Sequence, residues 1–358
     1  MGKRATAGTC LQALVKMAVP LLREAEHRCP RTGPGAKPDI PDWFIGLLIM
    51  IGVLKRKKSK SAQFRFVTDQ QNRPLIADGA GWGDFPSRST FFRRYRRAHQ
   101  LFRAAIKRQG EKAVAEGVAD PQVVAVDKSL VAARGPLWHK RDRQAGRIPK
   151  GLHGVDQEST WGYSQHDGWV QGYSFEVVVC ATADSTVFPL LASVDTASAK
   201  ETQTFDEKID DLAEETDRVL ADSGYDSNDL AERVEYDEDD RRTKRRFLCP
   251  ENRRGSKCGP NAASPTPRDE QHRRRLQRRK FLKSRRGKRL YARRGQTVEP
   301  FNEWFKGLFE LDQRVWHRGL NNNRTQILAA IFAYQLLVRY NHRCGKENGQ
   351  VKWIMDSL

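Results

Sequence analysis

Apolar positions along the chain follow two rhythms, helical before Pro121 and largely extended after it. Upstream, residues 1–40 are polar and interrupted by Gly and Pro, with one short helix predicted from Leu11 to Ala25. The run Trp43 to Leu54 is apolar on every side, as a buried helix is. Ser87-Arg88-Ser89-Thr90 offers a helix cap before Phe91, Phe92, Tyr95, Phe102 and Ile106, which recur at mostly helical spacing. Arg93, Arg94, Arg96 and Arg97 fill the other face of that helix.

Downstream, Val123 to Val126 is a short strand run ending at Asp127. Phe175 to Ala181 and Thr186 to Leu191 are two more, parted by Asp184 and Ser185, and Trp169 to Ser174 lengthens the first. A helical segment carrying Phe205, Ile209 and Leu212 precedes a fourth strand, Val219 to Ala221, which ends at Asp222. Ser227-Asn228 caps a further helix, and Phe247 to Cys249 makes a fifth strand. From Pro250 to Arg289 the chain is basic, poor in aliphatics and punctuated by Gly and Pro, so it reads as an insertion or long loop. Helix resumes at Pro300, with Phe301, Trp304, Phe305, Leu308 and Phe309 on its apolar face, and a last apolar helix runs from Thr325 to about Tyr340. Hairpins followed by alternating strands and helices predict an α/β fold, a mixed sheet flanked by helices.

Charge sharpens this picture. The net charge is +20, and a chain this basic commonly meets a polyanion. Between Arg241 and Arg294 lie 22 Lys and Arg against three acids, leaving 42 basic and 41 acidic residues elsewhere. One internal segment therefore carries the polyanion signal, and nucleic acid is its expected partner. The arginine-rich helix after Ser87 is either a core helix with a solvated basic side or a helix lying on DNA in a helix-turn-helix. The six cysteines follow no framework spacing, and Cys249 and Cys258 are too far apart for a zinc knuckle. No secretory signal is visible and the longest apolar runs are too short to span a bilayer, so the expectation is a cytoplasmic, nucleoid-associated protein without membrane contact.

Asp127 closes VVAVD and Asp222 closes VLAD, so two carboxylates share one position relative to their strands. Acids held on rigid backbone at a sheet crevice suit Mg²⁺, a hard cation that prefers oxygen. Paired ions of that kind catalyse in-line displacement at phosphodiesters. A third element follows: Tyr291-Ala292-Arg293-Arg294, Val298-Glu299-Pro300-Phe301, then Lys306. With the segments AVDKS and LADSGYDS, the pair around Trp161-Gly162-Tyr163 and Gly172-Tyr173, and the Trp316 to Asn322 stretch, it resembles insertion-sequence DDE transposases of bacteria and archaea. Those enzymes carry a Y–R–E–K signature; here four residues rather than three separate Arg294 from Glu299.

The resemblance implies an RNase H-like catalytic core over residues 119–343, with a basic insertion at about 241–290, a mainly helical DNA-binding region at 1–118 and a tail at 344–358. It implies that Asp127, Asp222 and Glu299 are catalytic and bind two Mg²⁺ or Mn²⁺ ions. Tyr291, Arg293, Arg294 and Lys306 would contact DNA. The implied reaction is strand cleavage at transposon ends and transfer of the 3′-hydroxyl into target DNA. Its partners would be double-stranded DNA, as terminal inverted repeats and target, and a second copy of the chain in a synaptic homodimer. An inactive DNA-binding derivative and a host nuclease on the same core are the alternatives.

Overall fold

A computed structural model describes residues 7–29, 38–237, 239, 241–252, 270–346 and 350–358. Among the described residues six helices precede the first strand: α1 (Ala7–Arg28), α2 (Asp42–Leu54), α3 (Lys60–Thr68), α4 (Asn72–Ala80), α5 (Arg88–Tyr95) and α6 (Ala98–Ala115). Every residue of α2 from Trp43 to Leu54 is buried, which accounts for its lack of a polar face. The first helix is longer than its apolar spacing suggests, and its Leu14, Leu21 and Leu22 are fully buried.

The arginine-rich helix is two helices. Ser87 caps α5, its Oγ accepting from the Thr90 amide at 3.2 Å, and the chain breaks at Arg96–Arg97. The arginines differ in role. Arg93, Arg96 and Arg97 are exposed, while Arg94 turns inward to Asp42, with its Nε donating to Oδ1 at 2.8 Å.

The six-stranded sheet is built from β1 (Val123–Ala132), β2 (Thr160–Ser164), β3 (Gly168–Cys180), β4 (Pro189–Thr196), β5 (Arg218–Leu220) and β6 (Arg246–Leu248). Its order is β2-β3-β1-β5-β6, with β4 also paired to β3. Short helices α7 (Lys140–Gln144), α8 (Glu201–Asp206) and α9 (Asn228–Glu235) connect the strands. The long helices α10 (Glu270–Lys283), α11 (Arg285–Leu308) and α12 (Leu320–Arg343) follow, and α13 (Lys352–Ser357) ends the chain. Helix α11 packs on β1 and β3, while α6 and α12 cover β4. A single hydrophobic cluster runs from Leu11 to Met355 and joins the early helices to the sheet.

Two expectations need correction. Asp127 does not end its strand: β1 continues to Ala132, because β3 pairs with it from Val124–Cys180 through to Ala132–Gly172. The basic stretch is not loop throughout. Residues 253–269, Cys258 among them, lie outside the described residues, but 270–283 form α10. Arg, Lys, Gln and Leu are good helix formers, and acids dock this helix: Arg274 and Arg278 pair with Glu232, Arg275 with Asp226 at 2.7 Å, and Arg279 with Glu251 at 2.8 Å.

Beneath the end of β5 lies a buried polar hub. Glu176 of β3 accepts from Lys208 Nζ at 2.6 Å, Thr204 Oγ1 at 2.7 Å and Tyr225 hydroxyl at 2.8 Å. The Lys208 and Glu176 side chains are only 2% and 3% exposed, so removing one leaves an uncompensated buried charge. Glu176→Gln should lower unfolding free energy by about 3–5 kcal/mol in urea titrations. A loss of only a few tenths, as at a surface pair, would show that the hub does not hold the fold.

Candidate functional site

The strand register places the two aspartates side by side. Strand β5 runs parallel to β1 with Val123 beside Arg218, Val124 beside Val219 and Ala125 beside Leu220. The same offset carried two residues further sets Asp127 level with Asp222, just past the last paired residue. Asp222 caps a single 3₁₀ turn, Ser223–Tyr225, its Oδ1 accepting from the Gly224 amide at 2.8 Å. That bond fixes the carboxylate on the chain as it leaves the sheet.

Glu299 arrives from α11. The helix does not begin at Pro300 as its sequence suggests; it starts at Arg285, capped by Ser284, and Pro300 lies inside it. The Arg- and Lys-rich run upstream favours helix, so the proline falls in mid-helix, where it removes one backbone hydrogen bond. Glu299 therefore sits on a continuous rod, one turn from Arg294 on one side and Asn302 on the other.

Arg294 binds all three acids. Its Nη2 pairs with Asp127 Oδ1 and lies 3.8 Å from Asp222 Oδ2, and its Nη1 donates to Glu299 Oε1 at 3.2 Å. Side-chain exposure grades across the site, from 15% for Asp127 through 41% for Asp222 to 61% for Glu299. The cluster thus has a closed floor on β1 and an open rim on α11. Arg293 points elsewhere, lining a cleft with Arg218, Arg286 and Arg289. The geometry therefore separates the neighbouring arginines: Arg294 serves the acids and Arg293 belongs to a basic surface.

Sequence reading missed further members. Asn302 Nδ2 donates to Asp127 Oδ2 at 2.7 Å, while its own Oδ1 is buried without a hydrogen-bond partner. Its position three residues after Glu299, on the same helical face, was the available clue. Glu201 of α8 closes the site against Gly224: a Cβ built on Gly224 would fall 1.7 Å from Glu201 Oε2 and 3.0 Å from Asp222 Oδ1. A larger residue there would push the Glu201 carboxylate aside, and no spacing in the sequence connects Glu201 with the site.

Four carboxylates against Arg294 and, beside Glu201, Lys128 leave an excess of negative charge. Burial, opposed by Arg294 and reinforced by Asp222 and Glu299, raises the Asp127 pKa to about 6. Burial, together with Asp222, raises Glu201 to about 7. Arg294 is held above its ordinary value despite burial, because Asp127 and Asp222 stabilise its charge. Tyr291, one turn before Arg294, is pushed to about 12, chiefly by burial. Lys306 is lowered by burial, with Asp167 and Asp127 opposing the shift.

The donor set is all oxygen, comes from three separate elements and converges on one positive charge, so it suits a hard divalent cation. Among the described residues no three ligating side chains stand close enough to hold such an ion as they are, since the guanidinium lies between them. None of the described helices is long and apolar enough to cross a membrane.

No curated protein matches the chain. One solved structure, a piggyBac transposase synaptic complex with hairpin DNA, is similar at 9% identity and a TM-score of 0.43, over 97% of this chain and 78% of that one. A family model of the transposase DDE domain matches residues 119–336, a span that holds Asp127, Asp222, Glu299 and Arg294. The chain belongs to the transposase DDE domain family.

Proposed function

We propose that this chain cleaves DNA at the ends of a mobile element and transfers the freed 3′-hydroxyl into target DNA, using an RNase H-like core. The observation that carries the reading is the convergence of Asp127, Asp222 and Glu299 on Arg294 at the end of β5. Mg²⁺ or Mn²⁺ would be held by these three carboxylates, and two such ions would activate the attacking oxygen and stabilise the leaving one.

The chain's own groups have distinct tasks. Asn302 holds one oxygen of Asp127 and leaves the other facing the cluster. Arg294 neutralises the acids while DNA is absent and turns to a phosphate when DNA arrives, since phosphate is a planar-fork partner as good as carboxylate. Tyr291 and Lys306 would bind the backbone beside it, and Arg293 with Arg286 and Arg289 would extend the track for double-stranded DNA. Joining two ends in one event calls for a second copy, so a homodimer is the proposed assembly. The basic residues imply binding to terminal repeats that weakens steeply as salt rises.

Asp222→Asn and Glu299→Gln should each reduce plasmid cleavage on the order of 10²–10³-fold while leaving gel-shift binding intact. Cleavage by both variants at the rate of the unaltered chain would sink the reading, and a chain that binds DNA but cuts at no Mg²⁺ or Mn²⁺ concentration would be the inactive derivative.

Arg294→Ala separates two roles of that side chain. In the absence of DNA it should bind Mn²⁺ about tenfold tighter, because one competing charge is gone. The same variant should cleave DNA more slowly, for want of its phosphate contact. Calorimetry and a cleavage time course read the two effects, and weaker Mn²⁺ binding would contradict the proposed exchange.

The raised pKa of Asp127 has a stability consequence in metal-free protein. The native state binds the extra proton between the unfolded value near 4 and the folded value of about 6, so stability attributable to this group falls as pH rises through that window. Asp127→Asn should therefore gain melting temperature over the unaltered chain as pH climbs from 4 to 6, then hold that gain at higher pH. Melting curves that stay parallel across the range would refute the assignment.

A further inference from the structure

Four of the seven large hydrophobic side chains that lie exposed among the described residues come from one stretch, Leu137, Ile148, Tyr163 and Trp169. Two of them form a defined surface. Tyr163 on β2 and Trp169 on β3 are directly paired across the hairpin, with ring centroids 5.5 Å apart at 64°. Both remain more than half exposed, at 52% and 59%. Lys140, at the start of α7, lies over the Trp169 ring at 4.8 Å. The segment from Leu137 to Lys150 adds Arg141, Arg143, Arg147 and Lys150 against the single acid Asp142.

A cross-strand aromatic pair supports its hairpin modestly, and that role needs neither open ring faces nor a cation laid on one of them. Exposed rings beside cations are instead the features on which nucleic-acid bases stack, because every base has a π-face and every nucleotide a negative charge. Position argues the same way. The hairpin turn holds Asp167, and Lys306 on α11 lies within electrostatic reach of both Asp167 and Asp127. Along β3 the aromatic pair lies eight residues from Val177, the partner of Asp127, roughly 26 Å of extended strand at about 3.3 Å per residue, so the platform sits on the far hairpin of the strand that carries the cluster.

We propose that Trp169, Tyr163 and Lys140 form a stacking platform for unpaired DNA bases, taking a single-stranded flank or an opened duplex end at the β2–β3 hairpin, along the strand from the carboxylate cluster. The proposal rests on the DNA-processing reading of that cluster and adds the part of the substrate that is not double-stranded. Duplex contacts belong to the basic cleft of Arg286, Arg289 and Arg293; the platform takes what the duplex cannot offer, an exposed base face.

The test uses the full chain in EDTA, with a blunt duplex and the same duplex carrying an unpaired tail that contains 2-aminopurine. The unaltered chain should prefer the tailed DNA and quench the probe. Tyr163→Ala with Trp169→Ala should lose about tenfold in affinity for tailed DNA, keep blunt-duplex affinity within about twofold and relieve the quenching. Trp169→Phe should keep most of the preference. Equal affinity of the unaltered chain for both DNAs overturns the platform, as does an equal loss on both in the double variant. So does a shift of the double variant towards monomer in sedimentation with tailed-DNA binding unchanged, which would give the patch to a second copy. Should the double variant fail to melt cooperatively, probe quenching by the unaltered chain decides alone, and its absence overturns the proposal. Mg²⁺-dependent cleavage is scored separately, so failure of the catalytic reading and failure of the platform give different results.

Discussion

Three carboxylates drawn into one crevice repel one another, and a single guanidinium makes their approach tolerable. Arg294 binds Asp127, Asp222 and Glu299 at once, and the geometry of the site follows from that contact. The acids are supplied by a strand, the exit of a neighbouring strand and a helix, so each comes with a different rigid support. Stability is given up at this point, since Asp127 is held buried and half-titrated near pH 6.

The supports explain why the cluster keeps its shape. The offset between β1 and β5 is 95 residues, the same as the separation of Asp127 and Asp222, so correct strand pairing and correct placement of the aspartates are one event. Below, the Glu176 hub ties β3 to Lys208, Thr204 and Tyr225, and Tyr225 belongs to the turn that Asp222 caps. Above, Phe301 and Phe305 seat α11 against Tyr334 of α12, while Asn302 stitches the same helix to β1. A slip of one residue in either direction would remove the Arg294 contacts of Asp127 and Asp222, while the Glu299 contact lies within α11.

Several features were legible from residues alone. The buried helices α2 and α12 and the Ser87 and Ser227 caps follow from local pattern, because burial and capping act over a few residues. Others were misread for identifiable reasons. Pro300 looks like a helix start, yet the helix-favouring run before it outweighs one lost hydrogen bond. Arg94 looks like part of a solvated basic face, yet its partner Asp42 lies 52 residues away. The arginines of α10 look like a free polycation, yet Glu232, Asp226 and Glu251 neutralise a row of them.

What the sequence determined by itself is most of the strands, the buried helices and the residues that face the core, since each depends on the local alternation of apolar and polar groups. Tertiary structure decided which charges meet: that Arg294 rather than Arg293 takes the acids, that Asn302 and Glu201 join them, and that Tyr163 and Trp169 stand open beside a lysine. Periodicity reports whether a side chain faces the core or the solvent. It carries no information on partners 72 to 175 residues away, and those are chosen only when the sheet register and the helix docking bring them within a few ångströms.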